Sequence, residues 1–334
     1  MKYDIVTIGD ASEDIFVQPR DMKVIKDSKM LSGKAASFEL GEKILLEDVQ
    51  YEVGGSACNT SVAFRRQGYN SSLVVAIGQD TPGKKVLERL GEESVSTELI
   101  LQDQSYKTNF SIVFNIDDER TIFVYHGLKD YSCLVPNKSL STKWVYLAPI
   151  GQGDEDVIDR VSVLAAEKNV RVGWNPGVIQ IEKKAQHYRQ MLKCLNILFI
   201  NREEGIRFAN FPVKPQIKDI VKVLHGYGPK IVVLTDGKNG AYAYDGQSHY
   251  HIEAVNQQRV DATGAGDSFA AGFMGRIMQD IAETNQDSIV DALKWGALNS
   301  TSVVGYIGAQ KGLLTKEALI EGSMNPDIRV EIYN

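Results

Sequence analysis

The stretch Val260-Asp261-Ala262-Thr263-Gly264-Ala265-Gly266-Asp267-Ser268-Phe269 opens an Ala/Gly-rich segment in which Phe269, Phe273 and Ile277 recur at i, i+4 and i+8. Ala270, Met274 and Met278 extend the same stripe, so the segment reads as a helix anchored in a core. Ala271, Gly272 and Gly275 are small enough for another backbone to approach closely. The Gly-Ala-Gly turn leaves backbone N–H groups unobstructed at the positive end of that helix, a place suited to an anion. Asp267 follows directly, and a carboxylate would repel a ligand that only needed holding. Phosphoryl transfer to a hydroxyl requires an anion hole with a base beside it, the first to neutralise developing charge and the second to take the proton. An Asp that merely caps the helix is the plainer alternative.

N-terminal to this turn, strand and helix patterns alternate. Ile5–Ile8 is a short apolar run ending at Gly9, the mark of a buried parallel strand. Residues 59–68, 82–92 and 154–168 read as helices, and Leu73–Ile77, Trp144–Leu147, Val170–Trp174, Ile197–Ile200 and Ile231–Leu234 as strands. Such alternation argues for a mainly parallel sheet covered on both faces, with ligands beyond the strand C-termini. Asp10, Asn201 and Thr235 each follow a strand and land on that edge. Residues 36–53 and 107–126 break the pattern and read as antiparallel β. In the second, Phe110, Ile112 and Phe114 alternate with Ser111 and Val113. A polar turn over Asn115-Ile116-Asp117-Asp118-Glu119 then leads back into Ile122–Tyr125.

Five short strings, in order, carry a resemblance. They are Ile8-Gly9-Asp10-Ala11-Ser12-Glu13-Asp14, Gly54-Gly55-Ser56-Ala57-Cys58-Asn59, Asn201-Arg202-Glu203-Glu204, Thr235-Asp236-Gly237-Lys238-Asn239-Gly240 and the Asp261–Phe269 turn. Together they resemble the motifs of the PfkB/ribokinase family of sugar and nucleoside kinases, over almost the whole chain. The resemblance implies one ribokinase-like domain over 1–334, a three-layer α/β/α sandwich with a mainly parallel central sheet. A small β lid over approximately 16–52 and 106–128 would fold over the substrate, and two lids would pair in a homodimer. It implies ATP and Mg²⁺ as cofactors, with K⁺ in some members, and a small-molecule sugar or nucleoside as acceptor.

Residue by residue, Asp267 matches the family's base and Gly264, Ala265 and Gly266 its anion hole. A bulkier residue at Gly266 should damage that hole by crowding. Ser12 and Asp14 match the sugar-contacting pair, and a carboxylate is a strong double acceptor for vicinal hydroxyls. Gly54 and Gly55 would let the backbone approach the substrate, while Asn59 offers donor and acceptor together. Ser56 stands where the family often has a lysine, which leaves the substrate open. Asn201, Thr235, Gly237, Gly240 and Asn299 match nucleotide-side positions. Glu204 would organise Mg²⁺ through water, although a helix N-terminus enriched in Glu is the plainer reading of Glu203 and Glu204. Asp261 and Thr263 match positions near which many members bind a monovalent cation.

Composition narrows the alternatives. The 334 residues are 43% hydrophobic and 24% charged, with net charge −6, so no basic field favours nucleic acid or an anionic membrane. Cys58, Cys133 and Cys194 are widely spaced and odd in number, which argues against a zinc site or disulfide framework and for a reducing cytoplasm. The N-terminus reads as no signal peptide, and apolar runs such as Ile197–Ile200 are strand-sized. Gly78–Lys85 nearly fits a P-loop, but Lys85 stands where a hydroxyl is needed and Pro82 removes an N–H. A dinucleotide fingerprint should follow the first strand, and this glycine turn lies near residue 264. The resemblance implies an ATP-dependent carbohydrate kinase of ribokinase or fructokinase type, with a nucleoside kinase and a non-catalytic sugar sensor as alternatives.

Overall fold

The computed structural model of the chain describes residues 2–333, apart from 21, 28–32, 117–118, 128–129, 137–139 and 281–283. Its strands include β1 (Tyr3–Ile8), β2 (Ser12–Pro19), β3 (Leu46–Gly54), β4 (Ser71–Val74), β5 (Asn109–Ile116), β6 (Glu119–Tyr125), β7 (Thr142–Leu147) and β8 (Arg171–Trp174). Further along come β9 (Ile197–Asn201), β10 (Ile231–Thr235), β11 (Ala241–Tyr244), β12 (His249–Ile252) and β13 (Val330–Tyr333). The helices that matter below are α1 (Ser56–Arg66), α2 (Thr81–Glu92), α3 (Asp154–Lys168), α4 (Arg202–Phe208), α5 (Ile217–His225), α6 (Ala265–Ile277) and α7 (Gln286–Val304).

Nine strands form the central sheet in the order β13-β12-β11-β10-β9-β8-β7-β1-β4. From β10 to β4 every pairing is parallel, whereas β11, β12 and β13 add antiparallel at one edge. The parallel strands are continuous apolar runs because both faces are covered. One face packs on α1, α6 and α7 through Phe64, Tyr146, Phe199 and Phe273. The other packs on α3, α4 and α5 through Trp174, Val161, Phe208 and Leu224. In α6 the stripe Phe269, Phe273, Ile277 is buried. Gly272 meets α7 so closely that a Cβ there would lie 2.6 Å from the Trp295 carbonyl, which is why a small residue stands at the crossing.

A second, four-stranded sheet runs β6-β5-β2-β3. The hairpin read over 107–126 is antiparallel, as are the pairings made from 36–53, and the structure adds two features to that reading. The two segments do not pair with each other; Ser12–Pro19 lies between them, antiparallel to β3 and parallel to β5. Only Leu46–Gly54 of the first segment joins this sheet, while Lys34–Ser37 pairs with Lys23–Lys26. The strand at Ser12 escapes a sequence reading because Ser12, Glu13 and Asp14 look like a polar loop, yet all three are buried. The turn expected between β5 and β6 falls partly on Asp117 and Asp118, outside the described residues. Leu73–Ile77 is likewise two strands, Ser71–Val74 in the central sheet and Ala76–Gly78 paired with Leu101–Asp103.

The antiparallel edge carries an aromatic stack. His249 lies between Tyr244 (4.4 Å between ring centroids) and Tyr333 (5.4 Å). Burial pushes its imidazole below the usual histidine range, and Lys222 and Lys218 push the same way. The folded chain therefore binds fewer protons here than the unfolded chain, so this contribution is full above about pH 6.5 and lost as pH falls below it. Urea unfolding at about pH 5.5 and 7.5 should show a lower midpoint at the acid value, and His249→Phe should reduce that difference.

Candidate active site

Two glycines set the geometry of the cleft. Gly55 follows β3 and precedes α1 with φ 90°, and a Cβ there would come within 2.6 Å of Asp10 O and Ala11 Cα. Gly264 precedes α6 with φ 74° and packs directly on Ala309. Both positions need the left-handed region that glycine enters without penalty. They aim the N-termini of α1 and α6 at one another, and Asn59 Nδ2 donates to Asp267 Oδ2 at 2.9 Å.

Asp267 occupies the first turn of α6 but caps nothing, because its carboxylate is held by Asn59 instead. Burial raises its pKa above the ordinary carboxylate range. Hydrogen bonds from Asn59 and Ser56 oppose that rise, and the nearby Asp14 carboxylate adds to it. Ala265 N–H donates to the Ala262 carbonyl at 3.3 Å, unlike the amides of Gly266 and Asp267. Their amides have no backbone partner among the described residues. A Cβ on Gly266 would meet nothing within 4 Å. The crowding expected at Gly266 is therefore absent from the protein itself, and the space beside its amide is open.

Asp14 reaches the same cleft from β2. Its Oδ1 accepts from Ser111 Oγ (2.7 Å) and Ser12 Oγ (3.1 Å), and its Oδ2 lies over the missing side chain of Gly54. Burial again raises the pKa, moderated by those two hydroxyls and raised further by Asp261 and Glu13. Ser111 was not a sequence candidate, although its place opposite Asp14 follows from the β2–β5 register. Asp10 has different partners and accepts from Tyr131 OH (2.7 Å) and Asn109 Nδ2 (2.9 Å). It borders a cavity of about 460 Å³ lined also by His126, Tyr131, Pro149, Ile150 and Val178.

On the other side of Gly266 lies a cavity of about 140 Å³ lined by Thr235, Gly237, Gly240, Val255, Phe269, Ala297, Ser300 and Thr301. Gly237 and Gly240 both have positive φ, 54° and 84°. Asn299 does not reach this cavity. It is fully buried, donating Nδ2 to Ser268 O (2.7 Å) and accepting at Oδ1 from Leu314 N (2.9 Å). Helical spacing turns Ala297, Ser300 and Thr301 outward and Asn299 inward, so the sequence assignment was one residue out of register.

Asn201 and Glu204 form a reciprocal capping box on α4, Asn201 Oδ1 accepting from Glu204 N (2.9 Å) and Glu204 Oε2 from Asn201 N (3.0 Å). Burial nevertheless raises the Glu204 pKa. Asp261 Oδ1 accepts from Thr263 N and Oγ1, and its Oδ2 from Gly308 N, so Asp261 ties two loops together. The near-P-loop at Gly78–Lys85 is also structural: Asp80 caps α2 through Gly83 N (3.0 Å) and accepts from Thr108 Oγ1 (2.6 Å).

A carboxylate beside free helix-terminal amides, on the strand C-terminal edge of a mainly parallel sheet, defines a phosphotransferase with a ribokinase-like fold. Residues 24–316 match the pfkB family of carbohydrate kinases, and the chain belongs to that family. It is similar to a ribokinase of Staphylococcus aureus, 25% identical over 82% of this chain and 89% of the relative. A nucleoside kinase of Methanothermobacter thermautotrophicus is 29% identical over 66% of this chain and 70% of its own length. Among solved structures, Arabidopsis thaliana ribokinase complexed with ribose and ATP superposes with TM-score 0.75 at 21% identity, covering 97% of this chain and 99% of that one. Methanocaldococcus jannaschii nucleoside kinase gives the same TM-score, 0.75, at 21% identity, with 96% and 98% covered. The chain is thus a kinase of the sugar and nucleoside class. Among the described residues no helix is long and apolar enough to cross a membrane.

The two glycines of the turn should respond oppositely to alanine. Gly264→Ala forces a side chain into positive φ and onto Ala309, and should lose about 1–3 kcal/mol of stability. Gly266→Ala should keep or gain about 0.5–1 kcal/mol, as alanine does over glycine in a helix, while losing ATP affinity. Thermal unfolding and calorimetric ATP titration of both variants separate the two effects.

Proposed function

We propose that the protein transfers the γ-phosphoryl group of ATP to a primary hydroxyl of a small sugar, with Asp267 as general base. The observation that carries this reading is the Asn59–Asp267 hydrogen bond, which sets the base in the cleft that Asp14 enters from β2. Asp14 and Ser12 hold acceptor hydroxyls, Gly54 and Gly55 let them sit close to the backbone, and Asn59 shares its amide between substrate and base. Asp267 takes the proton of the attacking hydroxyl on its carboxylate. The amides of Gly266 and Asp267, with the positive end of α6, stabilise charge developing on the transferred group. Asn201, Thr235, Gly237 and Gly240 surround the nucleotide together with Ala297, Ser300 and Thr301. Glu204 would hold a hydrated Mg²⁺, which would supply further neutralisation of phosphate charge.

A nucleoside acceptor is the second reading, favoured by the cavity beyond Asp10. There Tyr131, His126, Pro149 and Ile150 offer flat apolar walls to a base. The phenylalanines of the second sheet do not supply such a wall, because Phe110 stacks on Tyr125 (5.1 Å) and Phe114 meets Phe123 edge-on (5.2 Å). The second sheet acts as a lid that closes on the acceptor. Its outward face carries Val49, Tyr51, Phe123 and Tyr125, between 38% and 58% exposed. Apolar surface of this kind is covered by the same face of a second copy in a homodimer. The three cysteines are free, which fits work in the cytoplasm.

Asp267→Asn should lose about 10²–10⁴-fold in kcat with ATP affinity retained, because the exchange is nearly isosteric and removes the base alone. Turnover within a few-fold of the parent would leave positioning as the whole of the catalysis. ADP release from a panel of sugars and nucleosides tests the acceptor: turnover of nucleosides alone selects the second reading, and no turnover of any compound selects a sensor. Sedimentation should show a dimer, and a monomer at all working concentrations rejects the lid pairing.

A further inference from the structure

Behind Asp267 runs a chain of polar side chains that ends on an arginine. Asn59 donates from Nδ2 to Asp267 Oδ2 (2.9 Å) and accepts at Oδ1 from Gln310 Nε2 (3.1 Å). Gln310 accepts at Oε1 from Arg89 Nε (3.1 Å). Arg89 is fixed on α2 by Glu93 (2.7 Å) and Glu92 (3.1 Å). Asn59 and Gln310 are only 4% and 3% exposed, so neither amide has bulk water as an alternative partner.

The two ends give this chain a direction. A guanidinium only donates and an ionised carboxylate only accepts, whereas an amide does both. Two amides placed between them are satisfied in one orientation alone, with every N–H pointing from Arg89 toward Asp267. Turning either amide over sets carbonyl against carbonyl or N–H against N–H, leaving buried polar groups unmatched. Arg89 therefore decides which way Gln310 faces, and Gln310 decides which way Asn59 faces. The donor so presented to Asp267 bonds more strongly to an ionised oxygen than to a neutral one.

We propose that Gln310 and Arg89 are positioning residues that lock the Asn59 amide with its N–H toward Asp267, keeping that carboxylate ionised and turned for proton abstraction. The proposal rests on the base role of Asp267 argued above. It also meets a need of the site. Burial and the Asp14 carboxylate both oppose ionisation of Asp267, and only Asn59 and Ser56 work the other way. Cys58 and Tyr146, which also feel the Asp267 charge, are buried and stay neutral, the Cys58 thiol being pushed up to about 12. The main chain at 310 does not depend on the side-chain amide, because Arg66 NH1 donates to the Gln310 carbonyl (2.9 Å) and the Leu313 carbonyl (2.8 Å). Substitution at Gln310 thus leaves the loop anchored.

Gln310→Met removes the donor to Asn59, and Gln310→Glu removes it while keeping volume and the acceptor for Arg89. The ¹³C carboxyl titration of Asp267, assigned by its loss in Asp267→Asn, reads the effect without reference to activity. Its midpoint should rise by about one pH unit in both variants, the size of one charge-assisted hydrogen bond. The acidic limb of the kcat profile should move with it, and KM for ATP should stay within about twofold. Arg89→Met, which frees Gln310 to turn over, should give a smaller shift in the same direction. An unmoved midpoint in folded Gln310→Met, or a kcat loss uniform across pH, overturns the proposal by reducing the pair to scaffolding. Full activity of Asp267→Asn would instead remove the base reading, and the titration would still report on the relay.

Discussion

The hydrogen bond from Asn59 to Asp267 joins residues 208 apart in sequence, and the rest of the site is arranged around it. Asn59 belongs to a helix that follows β3 of the second sheet, and Asp267 to a helix packed on the central sheet. Neither side chain could find the other unless both helix N-termini pointed at the same edge. That aim depends on Gly55 and Gly264, whose positive φ turns the chain where any Cβ would strike Ala11 or Ala309. Below them, Phe64, Phe273 and Tyr146 hold α1 and α6 against one sheet face. Removing a buried phenylalanine from such a layer costs about 3–5 kcal/mol. The precision of the cleft is therefore a property of the core beneath it.

Much of this was legible in the chain. The period of Phe269, Phe273 and Ile277 located α6, and the alternation of apolar runs with helical stretches located most of the parallel sheet. What escaped reading follows a pattern. Ser12, Glu13 and Asp14 looked like a loop because polar residues seldom fill a buried strand, and they do so here because hydroxyls, a lysine and a ligand-facing cleft receive them. The parallel pairing of β2 with β5 is a long-range event that no local pattern encodes. Asn299 was misplaced because one residue of helical register separates a cavity wall from a core amide. Gln310 and Arg89 carry no motif, and only their spacing in three dimensions gives them meaning.

The site also shows how polar groups are kept in a dry place. Asp14 is matched by Ser12 and Ser111, Asp10 by Tyr131 and Asn109, and Asp261 by Thr263 and Gly308. Each carboxylate has named donors, as buried charge requires. The donors in these contacts are hydroxyls and amides, which temper the charge of the carboxylates without cancelling it.

That imbalance has a consequence for the fate of the product. On the proposed reading, the acceptor arrives uncharged and is welcomed by Asp14 as a partner for its hydroxyls. Once phosphorylated, the same molecule carries a dianion a short distance from Asp267 and Asp14, whose mutual repulsion already raises the Asp267 pKa. Like charges in a poorly solvated cleft repel far more than they would in water. On that reading the chemistry converts a guest into a repelled ion once Asp267 has passed on the proton it took, and the acids that grip the substrate become the force that expels what they have made.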